Sequence, residues 1–360
     1  MFRIISAVSA VALLTACGTG EQPFEYDTTD TATDSNVMTD ETTGTTTDEA
    51  SQNTNKLDAG VELPPGTDEP NSGGNILRFE ARDGEGGGLV TSVSYNAADD
   101  TFTVDNIGFD GANVYTRDNQ VGSLRNYALY EGAATSTDSL TGKEITQLTP
   151  YRALLGVSDT VVDGQRRASF AIVRTGAYAD YGFGGFIYAR SSDVTLPTSG
   201  QARFSGGYAG MRIFTPISGM ELTRGDMTVD IDFPDFNAND AVKGHITNRE
   251  AFNLDGTSIY LSGTGTGDLQ LPDLRFIIQE GATSLTASGE ISGNLNNYIF
   301  DTDTGQYVEY EKGNYYGIIA GDMTNPDDGG ELVGVFVVES EDPRHQNVTV
   351  QETGGFILYR

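Results

Sequence analysis

The chain has abundant acidic side chains but few histidine and cysteine side chains for acid–base or nucleophilic chemistry. The 360-residue chain holds 52 Asp and Glu but only two His and one Cys. His245 lies in a predicted strand among polar neighbours, and His345 lies in a predicted loop. Asp230 and Asp232 share one strand face about 7 Å apart, a separation also found between some glycosidase carboxylates. Such pairs are inevitable in so acidic a chain, so we interpret these residues as solvated and expect no catalytic residue and no enzyme.

Motifs for phosphate, dinucleotides and calcium are incomplete. Lys143 is followed by Glu144 rather than by the Ser or Thr of a phosphate loop. The Gly-Thr-Gly-Thr-Gly run at 263–267 lacks dinucleotide spacing. The segment 301–312 begins like a calcium loop, but Lys312 stands where the loop requires Glu. We therefore interpret both segments as turns and expect no cofactor and no metal site.

Composition and charge exclude several further classes. The net charge of -31 argues against nucleic acid, which requires a basic patch. A single Cys excludes an intrachain disulfide and a cysteine-rich metal site. The 45 Gly, abundant Thr and few long apolar runs favour a turn-rich β protein. The low hydrophobic content of 37% indicates that part of the chain is not folded.

The N-terminus has the pattern of a secretion signal that ends at this single cysteine. Arg3 is the only charge in the first 20 residues, and the apolar run of about 12 residues after it is too short to span a bilayer. Leu-Thr-Ala-Cys at 14–17 resembles the bacterial lipobox, which implies cleavage before Cys17 and acylation of its thiol and new amino group. An ordinary signal peptide with a Cys in its cleavage region is the alternative. Gly18 and Thr19, without an adjacent Asp, are compatible with the outer membrane.

Residues 1–16 are thus the predicted signal peptide, and 17–74 a predicted disordered tether. Between 18 and 74 there are 13 Asp and Glu, 13 Thr and one basic residue, Lys56. Such a segment cannot bury enough apolar surface to offset its ordering entropy. As a coil it would span about 40 Å and hold a folded body with a net charge of -20 away from the membrane.

Alternating apolar and polar residues predict an all-β body from residue 75 onward. Met227, Val229 and Ile231 face one side of a strand and polar residues face the other, which is typical of antiparallel sheets. A break at 196–200 divides a small β-rich, handle-like domain from the last region. The predicted strands of the first domain, 75–199, are 76–82, 89–95, 101–107, 127–131, 168–174 and 183–190, and only 151–157 favours a short helix.

The last region, 200–360, contains about eight predicted strands. They are 201–213, 226–233, 241–248, 271–278, 284–291, 313–321, 331–338 and 353–359. Eight antiparallel strands can close into a barrel, which removes exposed edges. Glycines inside these strands relieve crowding at the tight bends of a small barrel.

Glycine- and aromatic-rich motifs follow one another along this region. They lie at 200–210, 225–233, 242–246, 287–294, 316–321, 331–336 and 354–360. Their succession resembles the β-barrel domain of the transferrin-binding protein B family of bacterial surface lipoproteins, to which factor H-binding protein and haemoglobin- or haem-binding lipoproteins are related. The resemblance implies a lipid-anchored barrel filled by its own side chains that recognises proteins through its loops. For 75–199 it is weaker and implies the handle domain that precedes the barrel.

The chain departs from that family in two ways. It has one handle–barrel unit where transferrin-binding proteins have two, and it contains no Trp. Transferrin is therefore not the expected ligand, and no ligand-contacting residue is carried over. The candidate partner-binding residues come instead from the Gly-rich segment 177–185, where Tyr178, Tyr181 and Phe183 cluster. A hairpin that packs its own aromatic side chains into the body is the alternative.

The sequence therefore predicts a monomeric, non-enzymatic surface lipoprotein of a Gram-negative outer membrane. It would contact the membrane through Cys17 and bind a protein or iron-source ligand through barrel and handle loops. The alternatives are a periplasm-facing lipoprotein that binds a solute in the barrel mouth, and a structural envelope protein without a soluble ligand. The acidity predicts that a protein partner presents a neutral or basic surface.

Overall fold

Strands joined by turns make up nearly all of the structure, a computed structural model. It describes residues 62–68, 70–84, 86–105, 107, 113–138, 140–177, 181–234, 241–259, 270–277, 283–301 and 304–360. Cys17, most of the predicted tether and Tyr178 lie outside these residues. Within them there is no α-helix, so the all-β prediction is confirmed.

Thirteen strands precede residue 191. They are β1 (Ile76–Phe79), β2 (Val93–Asn96), β3 (Thr101–Val104), β4 (Val114–Arg117), β5 (Ser123–Leu124), β6 (Tyr127–Glu131), β7 (Thr135–Thr137), β8 (Glu144–Thr146), β9 (Arg152–Val157), β10 (Val161–Val162), β11 (Gln165–Arg166), β12 (Ala168–Arg174) and β13 (Gly184–Arg190). Nine of them form a curled antiparallel sheet in the order β1-β13-β12-β9-β6-β4-β3-β2, with β5 paired to β6. The pairs β7–β8 and β10–β11 are small separate hairpins.

Ordered contacts begin before residue 75, the predicted start of this handle sheet. The amide of Thr67 donates to the carbonyl of Leu77, and the amide of Phe79 donates to the carbonyl of Pro65, each at 3.0 Å. The C-terminal end of the predicted tether therefore lies along β1.

Strand β9 occupies the segment 151–157, where the sequence favours a short helix, so that expectation is wrong. Five of its six residues are buried, as are all seven residues in each of β12 and β13. Because this part of the sheet is covered on both faces, its strands are mostly apolar and are buried without alternation. Periodicity alone cannot distinguish such a strand from a buried helix.

Eleven strands follow residue 191. They are β14 (Val194–Thr195), β15 (Gln201–Thr215), β16 (Met220–Asp232), β17 (Val242–Phe252), β18 (Gln270–Leu271), β19 (Leu274–Phe276), β20 (Thr283–Leu285), β21 (Glu290–Asp301), β22 (Gln306–Asp322), β23 (Glu331–Glu341) and β24 (Thr349–Tyr359). Eight close into an antiparallel barrel in the order β15-β16-β17-β19-β21-β22-β23-β24, with β24 returning to β15. The predicted eight-stranded barrel is confirmed.

The fifth predicted strand, 284–291, is wrong in its bounds. The chain turns between β20 and β21, where the amide of Gly289 donates to the carbonyl of Thr286 at 2.9 Å. Gly289 has a φ of 86°, a conformation that residues with a Cβ rarely adopt. The barrel strand is instead β21, whose Ser- and Asn-rich sequence lacks the alternation used to predict strands.

Three large apolar clusters stabilise the body, and one of them joins the two sheets. One fills the barrel, and its large members include Phe204, Tyr208, Met227, Phe276, Tyr315, Phe336 and Phe356. A second lies within the curl of the handle sheet around Phe102, Tyr115, Tyr130 and Tyr151. The third is a seam in which Phe170, Ile172, Phe186 and Tyr188 of the handle pack against Met211, Leu222, Val333 and Ile357 on the outside of the barrel.

Buried ion pairs and hydrogen bonds also cross this seam. The Arg78 guanidinium of β1 donates two hydrogen bonds to the Glu290 carboxylate of β21, at 2.5 and 3.0 Å, and both side chains are fully buried. Arg190 donates to the backbone carbonyls of Ser288 and Ile319 at 2.6 and 2.9 Å. Paired charges in a dry seam resist separation, because either partner alone would be a buried charge. These contacts therefore fix the position of the handle on the barrel.

Glu331, at the start of β23, is a charged group of this seam without such a partner. It is 1% exposed, and neither carboxylate oxygen has a hydrogen-bond partner among the described residues. Burial raises the pKa of this carboxyl, and the nearby Ser158 and Thr160 side chains and the Arg167 guanidinium offset the shift only in part. A raised carboxyl pKa adds stability at low pH that is lost as the pH rises through the folded-state value.

The variant Glu331→Gln is therefore expected to raise the free energy of unfolding at pH 7 by about 1 kcal/mol. The gain should disappear near pH 4, where the wild-type carboxyl is protonated. Urea denaturation at both pH values measures it, with the exposed Glu341→Gln as the matched control. A loss of stability at pH 7 would show that the carboxylate has a partner.

Candidate protein-binding surface

The two described residues of the predicted aromatic cluster pack partly against the body. The Tyr181 hydroxyl donates to Thr349 Oγ1 of β24 at 2.9 Å, and its ring contacts the seam layer. Phe183 packs against the handle core. Both are half-buried, and Tyr178 lies outside the described residues. The structure thus gives these two rings a packing role, and their predicted contact with a partner stays a prediction.

The acidic and histidine side chains that the sequence offered as candidate chemical groups lie at the surface, and Asp230 and His345 interact with nearby residues. Asp230 accepts two hydrogen bonds from Arg203, at 2.6 and 3.0 Å, and this guanidinium holds the pKa of the Asp230 carboxyl below its usual value. His245 is exposed, and His345 Nδ1 lies 2.8 Å from Asp342 Oδ2. No group of three or more His, Cys, Asp or Glu able to hold a metal occurs within the described ranges.

Exposed aromatic side chains concentrate on one hairpin, which joins β21 to β22. Tyr298, Phe300 and Tyr307 are 55%, 54% and 73% exposed, and Val308 beside them is 37% exposed. The other large exposed apolar side chains in the described part of the chain are aliphatic: Val114, Leu140, Leu148, Val161 and Ile217. Large exposed apolar patches mark interaction sites, so we take this exposed hairpin (298–310) as the candidate binding surface.

Strand register places the three rings on one face. Phe300 pairs with Tyr307 across the hairpin, and Tyr298 pairs with Glu309. The Phe300 and Tyr307 rings meet edge to face, with centroids 5.4 Å apart. Arg275 pairs with Asn296, two residues before Tyr298, and both are on the outer face of the barrel wall. The rings therefore continue the outer face of the barrel beyond its rim.

A buried ionic network fixes the base of the hairpin to the barrel interior. Glu311 of β22 accepts hydrogen bonds from Arg249 at 2.6 and 3.0 Å and one from Asn297 of β21. Arg249 also donates to Glu352 of β24 at 2.7 Å. A register shift between Asn296 and Tyr298, a bulge that re-aims neighbouring side chains, separates this inward pair from the outward rings. The hairpin projects from a rigid base.

The tip of the hairpin is the turn predicted for the segment beginning at Asp301. Asp301 pairs with Gln306, and the amide of Gly305 donates to the carbonyl of Asp301 at 2.8 Å. The Thr304 hydroxyl donates to the Asp301 carboxylate at 2.7 Å. The interpretation of 301–305 as a hairpin turn is therefore confirmed.

Sequence reasoning missed this surface because both of its flanks were predicted as connecting chain. The available signal was the spacing of Tyr298 and Phe300 at i, i+2. Tyr307 follows six residues after the turn residue Asp301, and Glu309 continues the same alternation. Aromatic residues are favoured in strands whether exposed or buried. Alternation alone does not tell which face the barrel covers.

The barrel interior is filled by side chains where the structure describes it. Phe276 and Tyr315 stack at 4.0 Å, and Tyr208 meets Phe336 edge to face at 5.1 Å. Gly244 allows this packing, because a Cβ at this position would lie 2.5 Å from the Phe276 ring. None of the described segments forms a helix long and apolar enough to cross a membrane.

This chain is similar to solved structures of known proteins in fold rather than in sequence. No family model matches the sequence, and no curated protein matches it. Among solved structures, a double mutant of the vaccine antigen Transferrin Binding Protein B from Haemophilus parasuis Hp5 is 10% identical, with a TM-score of 0.34 over 76% of this chain and 46% of that chain. A single mutant of the same antigen is 12% identical, with a TM-score of 0.30 over 79% and 53%.

Intact Ap-TbpB, comprising N and C lobes, is 12% identical, with a TM-score of 0.28 over 80% of this chain and 61% of that chain. This chain thus spans about half the length of the solved chains that it matches. The solved structures to which it is similar are of the protein whose family its barrel motifs resemble. Because each TM-score is below 0.5, the fold is described from the strand pairing alone and no residue role is transferred.

Proposed function

We propose that this chain is a lipid-anchored lipoprotein on the surface of a Gram-negative outer membrane that binds a protein ligand and catalyses no reaction. The observation that carries the proposal is the exposed hairpin, where three aromatic rings project from a rigid two-sheet body. Aromatic residues on a fixed support are typical of protein interfaces, because they bury a large area at a small cost in side-chain entropy. The Leu-Thr-Ala-Cys motif at 14–17 supports the anchor.

A solute-binding role in the barrel mouth has less support. Aromatic rings occupy the described interior of the barrel, and Arg249, Glu311 and Glu352 form a closed ionic network there. A purely structural envelope role remains the rival, and a protein-capture experiment separates the two.

Two experiments test the proposed function. Protease treatment of intact cells should digest the body without permeabilisation of the outer membrane, because the body faces outward. Survival on intact cells followed by digestion after permeabilisation would contradict surface exposure. Capture with the detergent-purified full-length chain should then enrich one host or environmental protein that the double variant Phe300→Ala, Tyr307→Ala captures less well.

The anchor is tested by the variant Cys17→Ala. This variant is expected to move the chain from the membrane fraction to the soluble fraction, because several acyl chains at about 0.8 kcal/mol per buried CH₂ supply the attachment. Fractionation of cells by ultracentrifugation measures the change, with Gly18→Ala as a control that keeps the cysteine. Undiminished membrane attachment of Cys17→Ala would exclude the lipid anchor.

A further inference from the structure

Two arginines among the described residues lie 4.6 Å from the centroid of an aromatic ring and pair with a nearby carboxylate. Arg212 and Arg344 lie farther from a ring, at 6.0 and 5.6 Å from the centroid of Phe214. Arg224 of β16 lies 4.6 Å from the centroid of the Phe252 ring and donates to Glu250 at 2.8 Å. Arg117 lies 4.6 Å from the centroid of Tyr130 and donates to Asp100 at 2.9 Å. Ring face and carboxylate together hold a guanidinium more tightly than either alone.

The first of these sites has a simple strand geometry. Glu250 and Phe252 are two residues apart on β17, so their side chains share one face. Arg224 comes from the neighbouring strand, directly opposite Glu250 in the register. The site therefore needs a ring and a carboxylate at i, i+2 on one strand and an arginine on the strand beside it.

The exposed hairpin contains the aromatic ring and the carboxylate of this arrangement but not the arginine. Tyr307 and Glu309 are two residues apart on β22 and share its outer face with Tyr298 and Phe300. Strand β23 pairs with β22 from Lys312 onward, and Ser340 of β23 interacts with the Tyr310 side chain. Within the described residues, the β22 edge on this side therefore lacks a neighbouring strand only at 306–309. The place that Arg224 takes beside β17 is thus open beside β22.

A groove runs across β21, β22 and β23 and reaches the hairpin at Glu309. It has a volume of about 520 Å³, and its lining includes Glu309, Lys312 and Glu339. Along the sequence from 298 to 310 there are only acidic charges and no Lys or Arg. Along the sequence the rings are thus flanked by carboxylates, with Lys312 at the base of the hairpin as the nearest cation in the sequence. Arg275 of the neighbouring strand lines a second groove together with Tyr298 and Tyr307.

We propose that the exposed hairpin docks a basic protein surface, with an arginine of the partner stacked on Tyr307 and paired with Glu309 along the free edge of β22. This inference rests on the proposed function, because it names the chemistry of the protein ligand at that same surface. An acidic rim steers a basic partner toward the rings, and arginine is preferred to lysine because its planar guanidinium stacks and pairs at once.

The test uses hexa-arginine and hexa-lysine peptides as probes, titrated into the detergent-purified full-length chain. The body attracts any cationic peptide through its net charge, so the informative variant is Tyr307→Leu, Phe300→Leu, which keeps charge and apolar volume but removes the rings. It should weaken hexa-arginine binding about tenfold and hexa-lysine binding less. Glu309→Gln should weaken both peptides and reduce the salt dependence.

The matched control is Leu140→Ala, Leu148→Ala, which removes the two most exposed aliphatic side chains of the described segments and should bind both peptides like the wild type. Equal hexa-arginine affinity in the leucine variant and the wild type would overturn the proposal, since it would assign the binding to charge alone. It would also be overturned by concentration-dependent dimers in analytical ultracentrifugation that the leucine variant abolishes, because the hairpin would then cover a second copy.

Failure of this proposal is distinguishable from failure of the proposed function. If the full chain captures a protein ligand from outside the cell but the leucine variant keeps its arginine affinity, the function stands and the partner's chemistry is wrong. If arginine binding depends on the rings but intact cells protect the body from protease, the binding surface stands and the surface location is wrong.

Discussion

Replacing Arg249 with methionine is expected to lower the free energy of unfolding at pH 7 by about 3–5 kcal/mol. The Arg249 guanidinium is fully buried and bonded to Glu311 and Glu352, whose side chains are each 2% exposed. Burial opposes ionisation of Glu311, but the Arg249 guanidinium outweighs it and holds the pKa of that carboxyl below its usual value. Without Arg249, two carboxylates remain in the barrel with no cation paired to them.

The loss of unfolding free energy in Arg249→Met should depend on pH and be larger at neutral than at acidic pH. In the wild type a lowered carboxyl pKa adds stability above the unfolded-state value, and that stability is lost as the pH falls. In Arg249→Met the burial of Glu311 is opposed less strongly, so the pKa of this carboxyl should rise and it should protonate more readily. The difference between variant and wild type should therefore be largest at pH 7 and narrow toward about pH 4.

Urea denaturation followed by circular dichroism measures both effects. The control is the triple variant Arg249→Met, Glu311→Gln, Glu352→Gln, which removes all three charges and should recover most of the loss. A single variant that is destabilised equally at pH 7 and pH 4 would contradict the charge argument. Because Glu311 and Asn297 hold the base of the exposed hairpin, the single variant should also bind hexa-arginine more weakly.

Replacing Phe170 with alanine is expected to lower the free energy of unfolding by about 3–5 kcal/mol. Phe170 is fully buried in the seam, and its ring meets Tyr127 edge to face with centroids 4.8 Å apart. A Cβ at Gly156 or at Gly355 would lie 2.2 Å from the ring. The ring thus packs directly on the backbone of the handle and of the barrel, and its removal leaves a cavity bordered by two glycines that have no side chain to fill it.

Beside this cavity, the Tyr127 hydroxyl donates to the carbonyl of Gly207 and accepts from the amide of Ile357, each at 2.8 Å. Loosening of the seam should therefore expose these barrel contacts to proteolysis under native conditions. Denaturation measures the stability, and limited trypsin digestion should release handle fragments sooner from Phe170→Ala than from the wild type.

The matched control is Phe300→Ala, the same substitution at a position that is 54% exposed. It is expected to change the free energy of unfolding by less than about 0.5 kcal/mol, while it weakens partner binding. Phe170→Leu should fall between the two because it fills part of the cavity. A loss below about 1 kcal/mol in Phe170→Ala would show that the seam relaxes around the vacated space.

Most of the strand order was predictable because apolar and polar residues alternate with a period of two in strands that expose one face to solvent. Met227, Val229 and Ile231 are buried in β16 as the alternation predicts. Where both faces are covered the signal vanishes, as in β9, and where one face carries Ser and Asn it is masked, as in β21. The wrong helix expectation and the wrong bounds of the fifth barrel strand lie at these two kinds of strand, whereas β4 was missed although it alternates.

The binding surface and the buried charges were not predictable in the same way. Arg78 and Glu290 are 212 positions apart, so no local pattern indicates that they neutralise each other. Tyr208 and Tyr307 are the same residue type in strands, yet one is fully buried and the other is 73% exposed. Only the closure of the barrel and the position of the handle distinguish them.

The amino-acid sequence by itself determined the all-β class, the order of the barrel strands and the acidic balance that favours a basic partner. It also placed the lipobox-like motif at Cys17. Only the tertiary structure decided which charged groups are buried and which aromatic rings stay exposed to solvent. The physical reason is that periodicity and composition act along neighbouring residues, whereas solvation depends on what distant segments bring to the same place.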